Sequence, residues 1–293
     1  MSSILANQPA GAPGPESRPE SHPEPRLVVR DLSVAIDGRT VLANVNLTLR
    51  AGEVTALAGA SGGGKTTLLR AIAGLAGDRK RVRVTGSVLF EGRELVGLSE
   101  GELRPIRGAG IGWIMQDAGG AFCPVRRYGD QILEAARAHE DVHGPIDPKD
   151  FRDRALALFA ELGLKDPERV WASRPFELSG GMNQRAAVAA ALLSEPAVLL
   201  ADEPTSALDA ASRRSVREAL FAYARKRGGA LLAVSHDIAG VVRPADRVVI
   251  LNAGRVDAEG SPEAVFGPTG SAYARELDAA LFRLEHSESS ERS

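Results

Sequence analysis

Four runs of apolar residues, each five residues long, stand out along the chain because almost no polar residue interrupts them. Such a run is typical of a strand that is covered on both faces, so that neither side of it meets water. Stretches with helical periodicity separate the runs, and this alternation predicts an α/β fold with a mainly parallel sheet. The predicted buried strands are residues 54–58, 197–201, 230–234 and 247–251.

The segments around these strands divide the chain further. Before residue 54, short alternating runs predict strands joined by turns, one of which is Asp37-Gly38. Residues 118–182 interrupt the strand pattern, look mostly helical and are expected to form a subdomain. The predicted short strands are 27–29, 32–36, 41–42 and 45–49, and the predicted helices are 66–73, 152–162, 182–194 and 211–226.

The two ends of the chain differ in composition from its middle. Residues 1–25 are dominated by Pro, Glu, Ser, Gly and Ala, and such a segment buries too little apolar surface to offset its ordering entropy. We therefore expect a disordered tail over 1–25, a folded domain over 26–262 and a C-terminal extension over 263–293 that ends in disorder. Apolar residues recur at helical intervals in the extension, which predicts a helix docked on the core or, alternatively, a dimer contact. These residues are Tyr273, Leu277, Leu281 and Leu284.

Composition and charge exclude several classes of protein. The 36 basic and 38 acidic residues nearly cancel, which argues against nucleic acid as a main partner. The run Arg79–Arg81 with Arg83 is expected to be a solvated loop or strand face. The single cysteine, Cys123, cannot form a disulfide within the chain and is expected to be an ordinary packed or surface thiol. The longest apolar run, residues 186–193, is far shorter than the roughly 20 residues that cross a bilayer.

A glycine-rich stretch, LAGASGGGKTTLL, contains the pattern G-x-x-x-x-G-K-[ST] between a predicted strand and a predicted helix. Glycines let successive backbone N–H groups curl around one anion, and the helix N-terminus adds the positive end of its dipole. Lys65 is expected to reach the β- and γ-phosphates of a nucleotide, and the Thr66 hydroxyl to bind Mg²⁺. The alternative is a glycine-rich turn with an exposed lysine. The predicted nucleotide-binding residues of this loop are Gly59, Ser61, Gly62, Gly63, Gly64, Lys65, Thr66 and Thr67.

A pair of acidic residues follows another predicted buried strand, in the stretch LLADEPTSALD. Asp202 ends that strand, where its carboxylate can meet a metal ion. Glu203 follows it and would face the γ-phosphate and a water molecule. The alternatives are a helix N-cap for Asp202 and a surface acid for Glu203.

Four further short segments, together with these two motifs, resemble those of ABC-transporter ATP-binding subunits. They occur in the order that the family has, and the resemblance covers residues 26–285. It implies a P-loop NTPase domain with a mainly parallel core sheet, an antiparallel β subdomain and a helical subdomain at 118–182. The segments are the Q-loop Met115–Asp117, the signature Leu178–Arg185, the D-loop Ser206–Asp209 and the H-loop Ser235–Asp237.

The resemblance implies roles for particular residues. One chain would bind ATP and Mg²⁺, and the signature of a second chain would close on that nucleotide. Glu203 is expected to act as the base or water-positioning group, His236 to hold the γ-phosphate, and Gln116 to sense Mg²⁺ and the attacking water. Asp209 belongs to the D-loop. The expected metal-binding residues are Thr66, Gln116 and Asp202, and those expected to contact the partner's ATP are Ser179, Gly180, Gly181 and Gln184.

One position departs from the family's pattern. Most members place an aromatic residue on the adenine, whereas the equivalent region of this chain offers Ile36. Ile36 can cover the base by apolar contact without the stacking contribution of about 0.5–1.5 kcal/mol. We therefore expect weak ATP binding and poor discrimination between purine bases.

Further details resemble the peptide and nickel importers of the family, namely Ala121–Pro124, Pro175–Met182 and residues 267–277. The resemblance implies a peripheral position at the cytoplasmic face of the cell membrane. It also implies three kinds of partner, and no nucleic acid: a second, different ATP-binding subunit, two membrane permeases and an extracytoplasmic solute-binding protein. Residues 116–128 are expected to line the groove that receives a permease helix. The alternatives are a soluble ABC ATPase of translation, repair or cluster assembly, and a scaffold that does not hydrolyse ATP.

Overall fold

The computed structural model describes residues 24–78 and 80–280, with the exception of the His143 side chain. The disorder predicted for residues 1–23 and for the C-terminal end lies outside these ranges, as do Arg79, Leu281 and Leu284. Glu24 and Pro25 were expected in the disordered tail, but Pro25 already pairs with Arg50 in a sheet.

The described residues form ten strands and ten helices. The strands are β1 (Pro25–Ile36), β2 (Arg39–Arg50), β3 (Val54–Ala58), β4 (Val82–Phe90), β5 (Arg93–Glu94), β6 (Ile111–Ile114), β7 (Val198–Asp202), β8 (Ala230–Val234), β9 (Arg247–Asn252) and β10 (Arg255–Gly260). The helices are α1 (Lys65–Ile72), α2 (Glu100–Leu103), α3 (Tyr128–Arg137), α4 (Glu140–His143), α5 (Pro148–Glu161), α6 (Pro167–Ala172), α7 (Gly180–Leu193), α8 (Ala210–Arg227), α9 (Pro262–Phe266) and α10 (272–280). Short turns of 3₁₀ helix at 119–121 and 175–177 and one π turn at 238–242 complete the elements.

Two sheets organise the structure. The larger one has the order β10-β9-β3-β8-β7-β6, and β9, β3, β8, β7 and β6 run parallel while β10 is antiparallel at one edge. The smaller sheet, of order β2-β1-β4-β5, is antiparallel throughout. The predicted α/β fold with a mainly parallel core sheet is therefore confirmed.

The larger sheet separates two hydrophobic cores, and its strands divide their side chains between them. In β8, Leu231 and Ala233 belong to one core, while the alternate residues Ala230, Leu232 and Val234 belong to the other. The first core contains α3, α5, α7 and α8, and the second is shared with α1 and the antiparallel sheet. Because side chains alternate across a strand, a strand with two apolar neighbours must be apolar at every position. This requirement explains the uninterrupted apolar runs in the sequence.

The helices between β6 and β7 cover one end of the first core. Phe159 of α5 and Tyr128 of α3 are fully buried there, and the Tyr128 hydroxyl donates a hydrogen bond to Asn183 Oδ1 at 2.6 Å. Asn183 in turn donates to the Pro175 carbonyl oxygen at 3.1 Å. These bonds join α3 and α7 through the segment before the signature.

No helix among the described residues is both long and apolar enough to span a membrane.

Several elements differ from the expectations. The two pairs of short strands predicted before residue 50 are two continuous strands, because a bulge carries β1 through Asp31, which has a positive φ. Strands β4, β5, β6 and β10 were not predicted. In β4 and β10 exposed residues alternate with half-buried ones, so they lack the uninterrupted apolar signal of the central strands, and β5 and β6 are only two and four residues long. The predicted turn at Asp37-Gly38 is present, with positive φ at both residues.

We predict that Phe159→Ala destabilises the protein by about 3–5 kcal/mol, because it leaves a cavity at a position with no exposed surface. Chemical denaturation measures this difference. Val142→Ala is the matched control, since the Val142 side chain in α4 is 54% exposed and its truncation should change the stability by less than about 0.5 kcal/mol. An equal loss in the two variants would contradict the assignment of Phe159 to the core.

Candidate active site

The glycine-rich loop lies where the sequence placed it, between the central strand β3 and helix α1. Its backbone has little room for side chains. A Cβ atom at Gly59 would lie 2.1 Å from the Leu251 carbonyl oxygen, and one at Gly64 would lie 2.7 Å from Leu42 Cδ2. Gly59, Gly62 and Gly64 also have positive φ, which glycine adopts at little cost. The loop is thus held between β9 and β2 in a conformation that leaves its outer face open.

Lys65 begins α1 and is 8% exposed. Its ammonium group donates to the carbonyl oxygens of Gly59 at 2.8 Å and Ala60 at 3.0 Å. Burial lowers the pKa of this group, and the nearby carboxyls of Glu203 and Asp202 oppose that effect. Since an ammonium group has three donors, one of them remains for a phosphate oxygen.

Thr66 and Asp202 come together from distant parts of the sequence. The Thr66 hydroxyl donates to Asp202 Oδ2 at 2.9 Å, and Asp202 is 3% exposed at the end of β7. A hydroxyl and a carboxylate oxygen are ligands that suit Mg²⁺, which prefers oxygen and is commonly held by one or two carboxylates together with substrate phosphates. The residues present therefore fit the magnesium ion that the sequence implies.

Glu203 and His236, which the sequence predicts to be catalytic, lie side by side. His236 Nε2 lies 3.0 Å from Glu203 Oε1, and the His236 backbone N–H also donates to this carboxyl group. Burial raises the pKa of Glu203 to about 7, and burial together with the charge of Lys65 lowers the pKa of His236. Desolvation is the largest contribution for both groups, so it outweighs the electrostatic attraction that would favour a carboxylate paired with an imidazolium. The carboxyl group is consequently poised near neutral pH, as a general base requires.

The backbone of Glu203 is unusual. Its φ of 52° is in the left-handed region, where a residue with a side chain is uncommon. Its N–H donates to the Val234 carbonyl oxygen at 3.0 Å, and its own carbonyl accepts from the Ser206 hydroxyl at 3.1 Å. Contacts with β8 and the D-loop therefore fix the direction of this side chain.

Gln116 lies two residues beyond β6, the parallel neighbour of β7, and is exposed. Its strand ends at the same edge of the sheet as Asp202. The segment that follows is braced by Gln131, whose side-chain oxygen accepts from the Cys123 N–H at 2.7 Å and whose side-chain nitrogen donates to the Cys123 carbonyl at 3.1 Å. Cys123 is exposed, as expected for a surface thiol.

The signature residues do not all face the same way. Ser179 caps α7 by accepting a hydrogen bond from the Met182 N–H at 3.3 Å. Ser179 and Gly180 are exposed, and Gly181 is half-buried. Gln184 is instead 2% exposed, and its side chain donates to the Pro204 carbonyl oxygen at 3.2 Å. Its contact is therefore within its own chain, and the structure does not bring it to the open end of α7.

Asp209 of the D-loop caps α8. Its carboxylate accepts from the Ser212 N–H at 2.9 Å and from the Ser212 hydroxyl at 2.8 Å, and these bonds lower its pKa. Asp209 remains exposed at the surface of this loop.

Ile36 lies at the end of β1, half-buried, and pairs with Arg39 and Val82. The hairpin turn that follows leads to Leu42, whose side chain closes over Gly64 of the phosphate loop. The turn also carries Asp37, which is bound by Arg81 from the basic run, with Nε and Oδ1 at 2.9 Å.

The turn between β9 and β10 supports the phosphate loop and was not singled out in the sequence. The Gly254 N–H donates to the Gly63 carbonyl at 3.2 Å, and the Gly254 carbonyl accepts from the Ala43 N–H at 2.9 Å. A Cβ atom at Gly254 would lie 2.1 Å from the Val41 carbonyl oxygen. In the sequence this turn is marked by a glycine after an apolar strand, which predicts a turn but does not indicate a contact with the phosphate loop.

A comparison with family models identifies a match to the ABC transporter domain over residues 42–206, which is more than half of the chain. The chain belongs to the ABC transporter family. The match extends from strand β2 to the D-loop and includes the phosphate loop, the signature and the Asp202-Glu203 pair, so it covers most of the residues described above.

Curated relatives of this family member include transport and import proteins. A peptidoglycan transport ATP-binding protein, YejF, from Agrobacterium fabrum is 36% identical over 89% of the chain and 48% of its own length. A metal-staphylopine import ATP-binding protein, CntD, from Staphylococcus aureus is 35% identical over 81% of the chain and 85% of its own length. An oligopeptide transport ATP-binding protein, OppD, from Mycobacterium bovis is 37% identical over 79% of the chain and 38% of its own length. The chain thus spans half or less of two of these relatives.

Solved structures agree with the family. The ATP-binding cassette MJ0796, in a dimeric post-hydrolysis state bound to ADP and Pi, has a TM-score of 0.71 and 28% identity, and the match covers 80% of this chain and 98% of that one. A solved ATP-binding subunit of an ABC transporter has the same TM-score, 27% identity, and coverage of 87% and 99%.

We predict that Ile36→Tyr tightens ATP binding by up to about 1.5 kcal/mol, roughly tenfold, because a tyrosine ring at this position can stack on the base. Calorimetric titration with ATP measures the change. The control is Val28→Tyr, at a half-buried position of the same strand far from the hairpin turn, which should leave the affinity as it is. If both substitutions have the same effect, Ile36 does not lie over the adenine.

Proposed function

We propose that this chain is the ATP-binding and ATP-hydrolysing subunit of an ABC importer. The observation that carries the proposal is the Glu203–His236 pair, at 3.0 Å, beside a complete phosphate loop. A nucleotide-binding scaffold would need the loop alone. A base with a pKa of about 7, held next to an imidazole and a buried lysine, is instead suited to the hydrolysis of a phosphate bond.

Each residue of the site has a proposed task. The loop N–H groups and Lys65 hold the phosphates of ATP, and Glu203 accepts a proton from the attacking water. His236 orients that carboxylate and holds the γ-phosphate, while Gln116 senses Mg²⁺ and the attacking water. Thr66 and Asp202 would hold Mg²⁺, which neutralises charge on the phosphates when it is bound.

The arrangement of the signature supports a partnership between two chains. Ser179 and Gly180 are exposed at the N-terminus of α7, a helix end that favours an anion. We propose that they meet ATP on a second ATP-binding subunit, which in this branch is a different chain. The related cassette MJ0796, whose solved structure is dimeric, supports a pairing of two such domains.

The names of the relatives favour an importer for peptides or metal chelates over a soluble ATPase of translation, repair or cluster assembly. We propose that this chain works at the cytoplasmic face of the cell membrane with two permeases and an extracytoplasmic solute-binding protein. The solute would not touch this chain, and peptides, nickel and metal chelates are all solutes of this class.

The expected contact with a permease needs one revision. Phe122 was expected to line the groove, but its ring is half-buried and packs edge-on against Tyr128, with ring centres 4.6 Å apart. The exposed apolar side chains nearby are Val125 (71% exposed) and Phe176 (68% exposed), whose segments are joined by a bond from Arg174 Nε to the Val125 carbonyl at 3.2 Å. Exposed apolar side chains are suited to receiving the apolar face of a helix. We therefore place the permease contact at Val125 and Phe176.

We predict that Glu203→Gln lowers the rate of ATP hydrolysis by about 10²-fold or more, because the amide keeps the shape of the side chain but cannot accept a proton. ATP binding should persist. The rate is measured in the assembled complex, and Glu218→Gln, an exposed acid on α8, is the control. Near-normal hydrolysis by Glu203→Gln would show that another group activates the water.

We also predict that Val125→Asp and Phe176→Asp reduce recruitment to the membrane and solute uptake, because each would place an unpaired charge in an apolar contact. The isolated variants should fold and bind ATP as before. The control is Leu75→Asp, at a 43% exposed apolar position beyond the end of α1. Uptake that is unaffected by all three substitutions would remove the support for a docking surface at Val125 and Phe176.

A further inference from the structure

Helix α10 reaches the phosphate loop through one hydrogen bond. The phenol oxygen of Tyr273 accepts a bond from the Ala60 N–H at 3.1 Å. Ala60 is the second residue of the loop, and its carbonyl oxygen accepts from Lys65 Nζ at 3.0 Å and from the Gly63 N–H at 3.1 Å. Tyr273 therefore binds the peptide segment that holds the lysine ammonium and closes the loop.

The position of α10 is fixed along its length. Ala274 has no exposed surface, and Tyr273 and Leu277 pack on the core that contains α7 and α8. The Ser271 hydroxyl donates to Asp257 of β10 and accepts from the Ala274 N–H at 2.9 Å, which caps the helix. The ring of Tyr273 is thus fixed by packing against the core, and its hydroxyl is held at the Ala60 N–H.

The same helix is tied to the segment that follows His236. Arg243 ends the π turn at 238–242, and its guanidinium donates to the carboxylate of Asp278 at 2.8 and 3.0 Å. Asp237 caps the π turn by accepting from the Gly240 N–H at 2.6 Å, and it directly follows His236 in the sequence. Helix α10 therefore contacts both the phosphate loop and the residue at the end of the π turn that follows His236.

We infer that Tyr273 is a positioning residue for nucleotide binding, which fixes the Ala60 peptide, and that α10 links the phosphate loop to the turn after His236. The inference rests on the proposed function, because it assigns a task in ATP binding to a residue outside the motifs that define the site. The family model ends at residue 206, so it does not include this helix.

The physical argument concerns the order of the loop. Its glycines give it many backbone conformations, and a loop that is ordered only when the nucleotide binds loses affinity. A bond to Ala60 from a docked helix restricts the loop in advance. Loss of one neutral hydrogen bond should therefore weaken ATP binding by about three- to tenfold. The rate of the bound complex should change little, because Tyr273 acts through the loop backbone and is separate from the Glu203–His236 pair.

The test uses the full chain and Tyr273→Phe, which keeps the ring and its packing but removes the acceptor. Calorimetry with Mg·ATP gives the dissociation constant, and hydrolysis in the assembled complex gives KM and kcat separately. We expect a rise of about three- to tenfold in the dissociation constant and in KM, with kcat nearly unchanged. Arg243→Gln, which breaks the link to Asp278, should shift KM in the same direction.

Arg275→Gln is the matched control, because the Arg275 side chain lies on the same helix and donates to the Pro268 carbonyl at 3.0 Å within the C-terminal segment. It should leave KM as it is, so an equal rise in all three variants would show a general loosening of the helix and overturn the inference. Equal affinity of the full chain and Tyr273→Phe for ATP would also overturn it, and would leave the proposed function intact. A full chain that binds no ATP would overturn both.

Discussion

The register of the parallel sheet decides where every polar group of the candidate site lies. Leu57 of β3 and Asp202 of β7 both pair with Val234 of β8, so these three strands end at the same level. The residues that follow them are the phosphate loop, Glu203 and the Ser235-His236 pair. Groups that are far apart in the sequence thus meet at one edge of the sheet, where ligands of α/β proteins usually bind. A shift of one strand by one residue would separate them and would also turn its apolar side chains to the wrong core.

This arrangement has an electrostatic consequence. The Lys65 residue (8% exposed) and the Glu203 side chain (13% exposed) are largely withdrawn from water, whereas the His236 side chain is 44% exposed. Burial lowers the pKa of Lys65 and His236 and raises that of Glu203, so each shift favours the neutral form of the group. Such a cluster is costly to fold unless its members are bonded. The bonds between Thr66 and Asp202 and between Lys65 and the loop carbonyls meet that requirement.

The sequence could predict the central strands and the phosphate loop because each has a local cause. A strand with two covered faces must be apolar, and a loop that curls around an anion needs glycine and a following helix. Strands β4 and β10 have no such constraint, since one face of each meets solvent; they therefore lack an uninterrupted apolar run, and Gly86, with its positive φ, interrupts the alternation in β4. The sequence also could not predict contacts between distant segments. Gln184 and Tyr273 bind backbone atoms of other loops, and since every residue type has the same backbone groups, the sequence does not show which residue is the partner.

The contact made by Gln184 joins two of the motifs found in the sequence. Its side chain joins α7, whose exposed N-terminus carries Ser179, to Pro204, the residue after Glu203. The N-terminal turns of α7 are therefore linked within one chain to the backbone beside Glu203. Glu203 itself has a left-handed backbone conformation, which its bonds to Val234 and Ser206 maintain. The burial of Gln184 keeps water from competing for the bond to Pro204, so this bond holds the backbone after Glu203 against α7.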